Sequence, residues 1–557
     1  MKKFMTRTVR MVAFGLLSVS LLLSSCDKEE TPTFTDPTIV VTTAQTQQVP
    51  GGKVTFTIAV AAEAGLASVK QGTTEVKTYA DDVKTDLITY EFTIPAAQAL
   101  GTLAVPFTVT DKQGTPKSID ASASITVTAA PKTTSTIEAN ITANTTWTAD
   151  KFYLLKGNVY VQSGAELTIE PGTIILGDKV TKGALIISRG AKIHAKGTAE
   201  KPIIFTSSAP KTFRNYGDWG GVVILGKAAN NQNVNQTIEG ISAATGDNGL
   251  YGGTTDDDNS GEFYYVRIEF AGIALSTDNE LNGLTLGSVG SATEVHHVQV
   301  SYSGDDSYEW FGGKVNTKYL VAYRGWDDEF DTDFGYSGNN QFLVSFRDPN
   351  IADKSGSNGF ESDNNAQGDT KTPLTSATFA NVSLFGPFAY ANLSGGALSN
   401  SNVSANYQRG AHIRRNSALQ IYNSVFVGAN KDGIFFENTN KDAVFKGNYI
   451  GRITGNAKPT PTDKASEPYD HSAFATDNTI ESPINKVDLS GMFAGFAAVG
   501  TIATPNPLLS ASSPLLTGAV TLPAGLTQVA YKGAFDGTTN WMTGWTNFDP
   551  NNTNYGN

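Results

Sequence analysis

The residues best equipped for chemistry in this chain are carboxylates arranged in repeating phrases. Asp305-Asp306-Ser307-Tyr308-Glu309-Trp310-Phe311-Gly312 is matched 22 residues later by Asp327-Asp328-Glu329-Phe330-Asp331-Thr332-Asp333-Phe334, and more loosely by Gly359-Phe360-Glu361-Ser362-Asp363-Asn364. If one phrase lies over the next, Asp305 stacks on Asp327, Asp306 on Asp328, and Glu309 on Asp331 with Glu361 beyond. Paired strands are about 4.8 Å apart. Two unit charges at that distance repel by about 0.9 kcal/mol in water, and by about 3.5 kcal/mol at an effective dielectric of 20. Such a patch must splay into solvent, share protons, pair with cations or hold a metal.

Each option has its residues. Calcium takes roughly six to eight oxygen ligands, and Asp305, Asp306, Asp327 and Asp328 are the candidates to supply them. Arg324, Arg347, Arg414 and Arg415 are the internal alternative, with Arg414 aligned in the column of Glu361 and Glu437. A substrate site is the third option, because paired carboxylates about 5–5.5 Å apart suit retaining glycoside hydrolysis and wider pairs suit inversion. Asp306, Asp328, Asp331 and Arg414 are then the catalytic candidates. Asp305, Glu309, Trp310, Trp326, Asp327, Asp333, Glu361 and Asp363 are the binding candidates. Tyr308, Trp310 and Trp326 either stack on sugars or turn into the core.

The histidines add little. His296 and His297 are neighbours in an apolar strand, which predicts opposite faces and no shared site. His194, His412 and His471 stand alone. No zinc spacing, phosphate loop, nucleophile elbow or dinucleotide fingerprint is present. Gly220-Gly221 and Gly312-Gly313 read as tight corners.

The same 22-residue step predicts the scaffold. Val298-x-Val300 recurs as Leu320-x-Ala322 and again as Phe342-x-Val344, and Gly164-Ala165-x-Leu167 returns 26 residues later as Gly190-Ala191-x-Ile193. Residues two apart on a strand share a face, so each coil sends two apolar side chains inward at one height. Periods this short fit a solenoid rather than a propeller of about 40–50 residues per blade. Residues 137–557 are therefore expected to form a parallel β-helix. Asn381, Asn423 and Asn448 sit at similar points of later segments, as either an internal ladder or turn residues. Upstream, residues 37–130 alternate as Val54-Thr55-Phe56-Thr57-Ile58 does, between turns such as Pro50-Gly51-Gly52, which predicts a β-sandwich.

The start of the chain carries Lys2, Lys3, Arg7 and Arg10, then an apolar run from Met11 to Leu23, then Leu23-Ser24-Ser25-Cys26. The run is shorter than the roughly 20 residues needed to span a bilayer and has the layout of a secretory signal. Cys26 is the single cysteine, so no intramolecular disulfide is possible. The formal charge of −12 becomes −12 − 4 = −16 once the four basic residues of the signal are removed, a balance that argues against nucleic-acid binding.

Leu23-Ser24-Ser25-Cys26 resembles a lipobox, which implies a signal peptide over 1–25, acylation of Cys26 and a lipidated tether over 26–36. Lys28-Glu29-Glu30 resembles the export signal of surface lipoproteins in the Bacteroidota. Leu167-Thr168-Ile169-Glu170-Pro171-Gly172-Thr173, Trp219-Gly220-Gly221-Val222-Val223-Ile224 and Trp541-Met542-Thr543-Gly544-Trp545-Thr546-Asn547-Phe548-Asp549-Pro550 resemble a Bacteroidota lipoprotein family with an immunoglobulin-like module and a right-handed parallel β-helix. That resemblance covers most of 137–557 and brings no catalytic residues with it. It implies outer-membrane anchoring, facing the cell exterior. Ser513-Pro514-Leu515-Leu516-Thr517-Gly518 resembles the last coil of secreted β-helices, leaving Trp541, Trp545 and Phe548 to cap the open end. The function expected on these grounds is binding or scaffolding, for glycans or an outer-membrane protein complex, with calcium as the candidate cofactor. A polysaccharide lyase or glycoside hydrolase acting on acidic glycans is the alternative.

Overall fold

The computed structural model describes residues 33–239, 241, 248–276, 279–390, 403–451, 467–481 and 505–557. Cys26, the signal segment and most of the tether lie outside the described residues. The chain divides into two compact units between Pro131 and Lys132.

The first unit is a β-sandwich. One antiparallel sheet orders Thr38–Thr42, Lys53–Ala61 and Thr85–Thr93; the other is built around Ser118–Val127, Gly101–Asp111 and Leu66–Gln71. Alternation in Lys53–Ala61 turns Val54, Phe56, Ile58 and Val60 inward, against Val105, Phe107, Val109, Ile125 and Val127.

The second unit is a parallel β-helix. A nine-stranded parallel sheet forms one wall, and a 17-stranded parallel sheet supplies the remaining walls of the coils. The long strands Gly261–Glu269, Glu294–Ser301, Asn316–Tyr323, Asn339–Phe346 and Thr378–Phe385 each bend at a residue in the left-handed region. These are Tyr265 (φ 47°), His297 (φ 50°), Tyr319 (φ 57°), Phe342 (φ 62°) and Asn381 (φ 54°). One residue per coil thus turns the corner between two walls, the paired register lapsing at that residue and resuming beyond it. Inside, columns such as Leu167–Ile193 and Val298–Leu320 bury continuously.

The expected register holds to Leu320 and then slips by one. Leu320 pairs with Leu343 and Ala322 with Ser345, so Phe342 is not the third member of the inward column. The coil from Leu320 is one residue longer. Phe342 instead takes the corner and stacks outward on Tyr319, ring centroids 5.3 Å apart.

The asparagines divide between the two readings. Asn381 and Asn423 are corner residues whose amides bind the C-terminal segment, at Tyr531 O (3.0 Å) and Val520 O (2.8 Å). Asn448 lies one column further in. It donates to Asn478 Oδ1 (2.9 Å) and accepts from the Ser424 N–H (2.9 Å), giving a short buried ladder.

The C-terminal segment does not cap the end. It runs back along the outside of the coils as a strap. Its backbone is held by the Asn423 amide at Val520, by the Gln341 amide at Thr527 and by the Gln299 amide at Asn547, then by the Arg214 guanidinium at Pro550 and Thr553. The reason is the outward apolar face of the sheet: Tyr302, Val321, Tyr323, Val344, Phe346 and Phe385 need cover, and Leu515, Phe535, Met542, Trp545 and Phe548 provide it. Leu515 belongs to this lateral layer rather than to a last coil.

Candidate functional site

The acidic phrases fall on the nine-stranded wall. In the strands Tyr308–Gly313, Phe330–Asp333, Ser357–Ser362 and Tyr407–Arg414, alternation sends Tyr308, Trp310, Phe330, Phe360, Ala411 and Ile413 inward. The intervening residues face outward in two columns. One is Glu309–Asp331–Glu361–His412, and the other contains Asp333, Asp363, Arg414 and Glu437. The turn before the first strands stacks Asp306 below Asp328, whose N–H donates to Asp306 Oδ1 (2.7 Å). The expected pairs therefore form: Asp306 with Asp328, and Glu309 with Asp331 and Glu361.

Arg414 is displaced from its expected column. Glu361 pairs with His412, and Arg414 stands two residues on, beside Glu437 and in the Asp363 column. It still reaches both acids, bonding Glu361 and, through Nε, Asp363 Oδ1 (2.9 Å), while Arg415 takes Asp363 Oδ2 (2.7 Å). His412 lies between Glu361 (3.6 Å) and Glu437 (3.0 Å). Arg347 is fully buried with Glu329 (3.2 Å) and also donates to Trp326 O (2.6 Å) and Asp327 O, which anchors the turn carrying Asp327 and Asp328. Arg324 pairs with Asp348 (3.2 Å), outside the acidic columns.

Basic side chains thus neutralise one end of the wall. At the other end, among the described residues, Asp305, Asp306, Glu309, Asp327, Asp328, Asp331 and Asp333 form no salt bridge. Asp306 and Asp328 are 8% and 5% exposed. Carboxylate oxygens of Asp305, Asp306 and Asp327 lie within 4.8 Å of one another, as do those of Asp306, Glu309 and Asp331. Burial, then the field of neighbouring acids, pushes Asp305, Asp306, Glu309, Asp328 and Asp331 well above the usual carboxylate range. Burial and the field of Asp353 push Asp327 up to about 7, with Arg347 opposing. Burial and Asp363 raise Asp333. Glu361 goes the other way: burial raises it, but the His412 hydrogen bond and the Arg414 charge together hold it below its ordinary value. Asp363 stays raised, its burial outweighing Arg414.

The buried oxygens Asp327 Oδ1, Asp331 Oδ1, Asn282 Oδ1 and Asn358 Oδ1 have no hydrogen-bond donor among the described residues. An all-oxygen donor set short of hydrogens fits a hard cation of the calcium class. Asn282 and Asn358 escaped the sequence reading because they lie outside the repeated phrase. Asn282 donates to Glu309, and the N–H of Asn358 donates to Asp328.

Two aromatic candidates change role. Trp310 is fully buried, stacked on Tyr336 (5.4 Å) inside the coil, and is unavailable to a ligand. Tyr308 is buried beside it, its hydroxyl donating across the core to Val298 O (2.7 Å). Both occupy even positions of a strand whose one acid, Glu309, stands at an odd position. Trp326 is half-buried, edge-on to Tyr216 (5.3 Å).

His296 and His297 are also corrected. The left-handed backbone at His297 cancels the usual alternation, and the two Nδ1 atoms meet at 2.8 Å. His194 is not isolated either, since its ring lies between Glu262 and Glu166.

Fold and site together define a parallel β-helix with a carboxyl-lined wall. The chain belongs to the family of pectate-lyase-like β-helix domains, whose model matches residues 139–472, more than half of the chain. No functionally curated protein matches it. A solved catalytic domain of a GH87 alpha-1,3-glucanase, in complex with tetrasaccharides, is similar at 12% identity; the match covers 78% of this chain and 97% of that one. The TM-score is 0.25.

Proposed function

We propose that this protein is a lipid-anchored surface protein of the bacterial outer membrane whose β-helix binds carbohydrate on its acidic wall. Cys26 is the acylated residue, the sandwich is an immunoglobulin-like spacer, and a calcium-class cation sits among Asp305, Asp306, Asp327 and Asp328. The observation that carries the reading is the unneutralised end of the wall, where carboxylates cluster within 4.8 Å and the buried oxygens Asp327 Oδ1, Asp331 Oδ1, Asn282 Oδ1 and Asn358 Oδ1 have no donor among the described residues. Membership of a family named for pectate lyases supports carbohydrate as the ligand class. An accessory role in an outer-membrane protein complex would use the same face.

The test is retention of the full chain on a glycan panel, with Cys26→Ser for solubility, in calcium and in chelator. Retention that needs calcium and is lost in Asp306→Asn supports the reading. No retention in either condition would overturn it. Anchoring is checked separately by palmitate labelling, which Cys26→Ala should abolish.

A second reading, glycoside hydrolysis, is favoured by one observation. Asp331 and Glu361 are paired on adjacent rungs with pKa values driven in opposite directions. Such splitting supports Asp331 as the protonated acid and Glu361 as its ionised partner. Release of reducing ends from a retained glycan, lost in Asp331→Asn, distinguishes cleavage from binding.

A further inference from the structure

A second group of ligating side chains lies on the 17-stranded sheet, away from the acidic wall. In the strand Glu294–Ser301 the corner at His297 brings adjacent imidazoles to the same outer side, Nδ1 to Nδ1 at 2.8 Å. Both rings are clamped. His296 lies flat on Tyr264 (4.5 Å, 9°), and His297 is held between Tyr265 (4.4 Å, 23°) and Tyr319 (4.4 Å, 29°), with Trp545 edge-on at 5.7 Å. Glu294 Oε1 is 3.2 Å from His296 Nε2. A carboxylate there selects the Nε2–H tautomer, so the His296 Nδ1 lone pair accepts the His297 Nδ1–H, a hydrogen bond that a bound metal would replace. Burial lowers both imidazole pKa values, that of His297 to about 4, so the rings are neutral at pH 7. The pair opens into a concavity of about 420 Å³ that also includes Asn316 and Lys318. The Lys318 ammonium is drawn towards Thr527 Oγ1 (3.4 Å) in the strap.

We propose that His296 and His297 chelate a divalent transition metal through their Nδ1 atoms, with Cu2+ or Ni2+ preferred over Zn2+. The preference follows from the angle. With metal–nitrogen bonds of about 2.0 Å, nitrogens 2.8 Å apart subtend about 90°. That is a cis edge of a square-planar or octahedral site, the geometry of Cu2+ and Ni2+. Tetrahedral Zn2+ would need the nitrogens roughly 3.3 Å apart. Water in the concavity completes the coordination. His297 keeps one N–H, shifted from Nδ1 to Nε2, so no net proton leaves. The acidic wall offers only oxygens, so the two sites select opposite metal classes.

The experiment titrates the untagged full chain with CuCl2 in excess calcium, followed by calorimetry and electron paramagnetic resonance. One Cu2+ per chain with nitrogen hyperfine structure from two imidazoles is expected. His297→Gln should weaken binding by more than the ~10–100-fold that loss of an outer-shell partner costs, and Glu294→Gln by about that amount. His194→Gln and Asp306→Asn should leave it unchanged. Should His297→Gln fail to fold, Glu294→Gln still decides, because the Glu294 side chain is more than half exposed. An oxygen-only spectrum, Zn2+ binding as tight as Cu2+, or affinity unaffected by Glu294→Gln would overturn the proposal.

Discussion

Acidification should stabilise this β-helix, and Asp327 measures by how much. Its carboxyl is raised from 3.8 to about 7, first by burial and then by Asp353. Between those values the folded chain binds a proton that the unfolded chain has released, so stability falls as pH rises from about 4 to 7. At 1.36 kcal/mol per unit, the raised pKa corresponds to about 4 kcal/mol for this one group. The unit from Lys132 to Asn557 has 557 − 132 + 1 = 426 residues, giving an unfolding entropy near 0.9 kcal/mol/K. The expected shift is then about 5 °C. Asp327→Asn should melt about 5 °C above the parent at pH 7.5 without calcium, and level with it at pH 4. Calcium should raise the parent more than the variant, because the variant lacks a ligand. Scanning calorimetry at pH 4, 5.5 and 7.5, with calcium or chelator, reads both effects. A difference between parent and variant that does not change with pH, or a parent that loses stability on going from pH 7 to 4, would refute the reasoning.

Other outcomes follow from single contacts. Arg347→Met strands Glu329 in a fully buried site and should cost about 3–5 kcal/mol in chemical denaturation, with Glu329→Gln in the same chain recovering part of it. Gly261→Ala places a Cβ 2.0 Å from Ile193 O at φ 107° and should cost at least about 1–3 kcal/mol, seen as a lower melting temperature. Trp545→Ala should free the strap before the coils unfold, so that limited proteolysis cuts within 505–557 first. Asn448→Ala leaves the buried Ser424 N–H without its acceptor and should cost about 1–3 kcal/mol in the same denaturation assay.

Much of the scaffold and its acidic face was legible in the sequence because neighbouring coils of equal length repeat their chemistry at a fixed step. Leu167 over Ile193 follows from a step of 26 residues, and Val298 over Leu320 and Glu309 over Asp331 from a step of 22. Other features depended on details a period does not carry. One extra residue moved Phe342 out of the core column. Strand parity turned Trp310 inward, while Glu309 on the same strand faced out. A single left-handed residue undid the alternation of His296 and His297. The strap was the least accessible feature, because its partners Gln299, Gln341 and Arg214 lie 186 to 339 residues away in the chain. Periodicity specifies which residues share a height along the axis. Which side of the wall they occupy, and what covers them, is settled only when corners form and exposed apolar faces find cover.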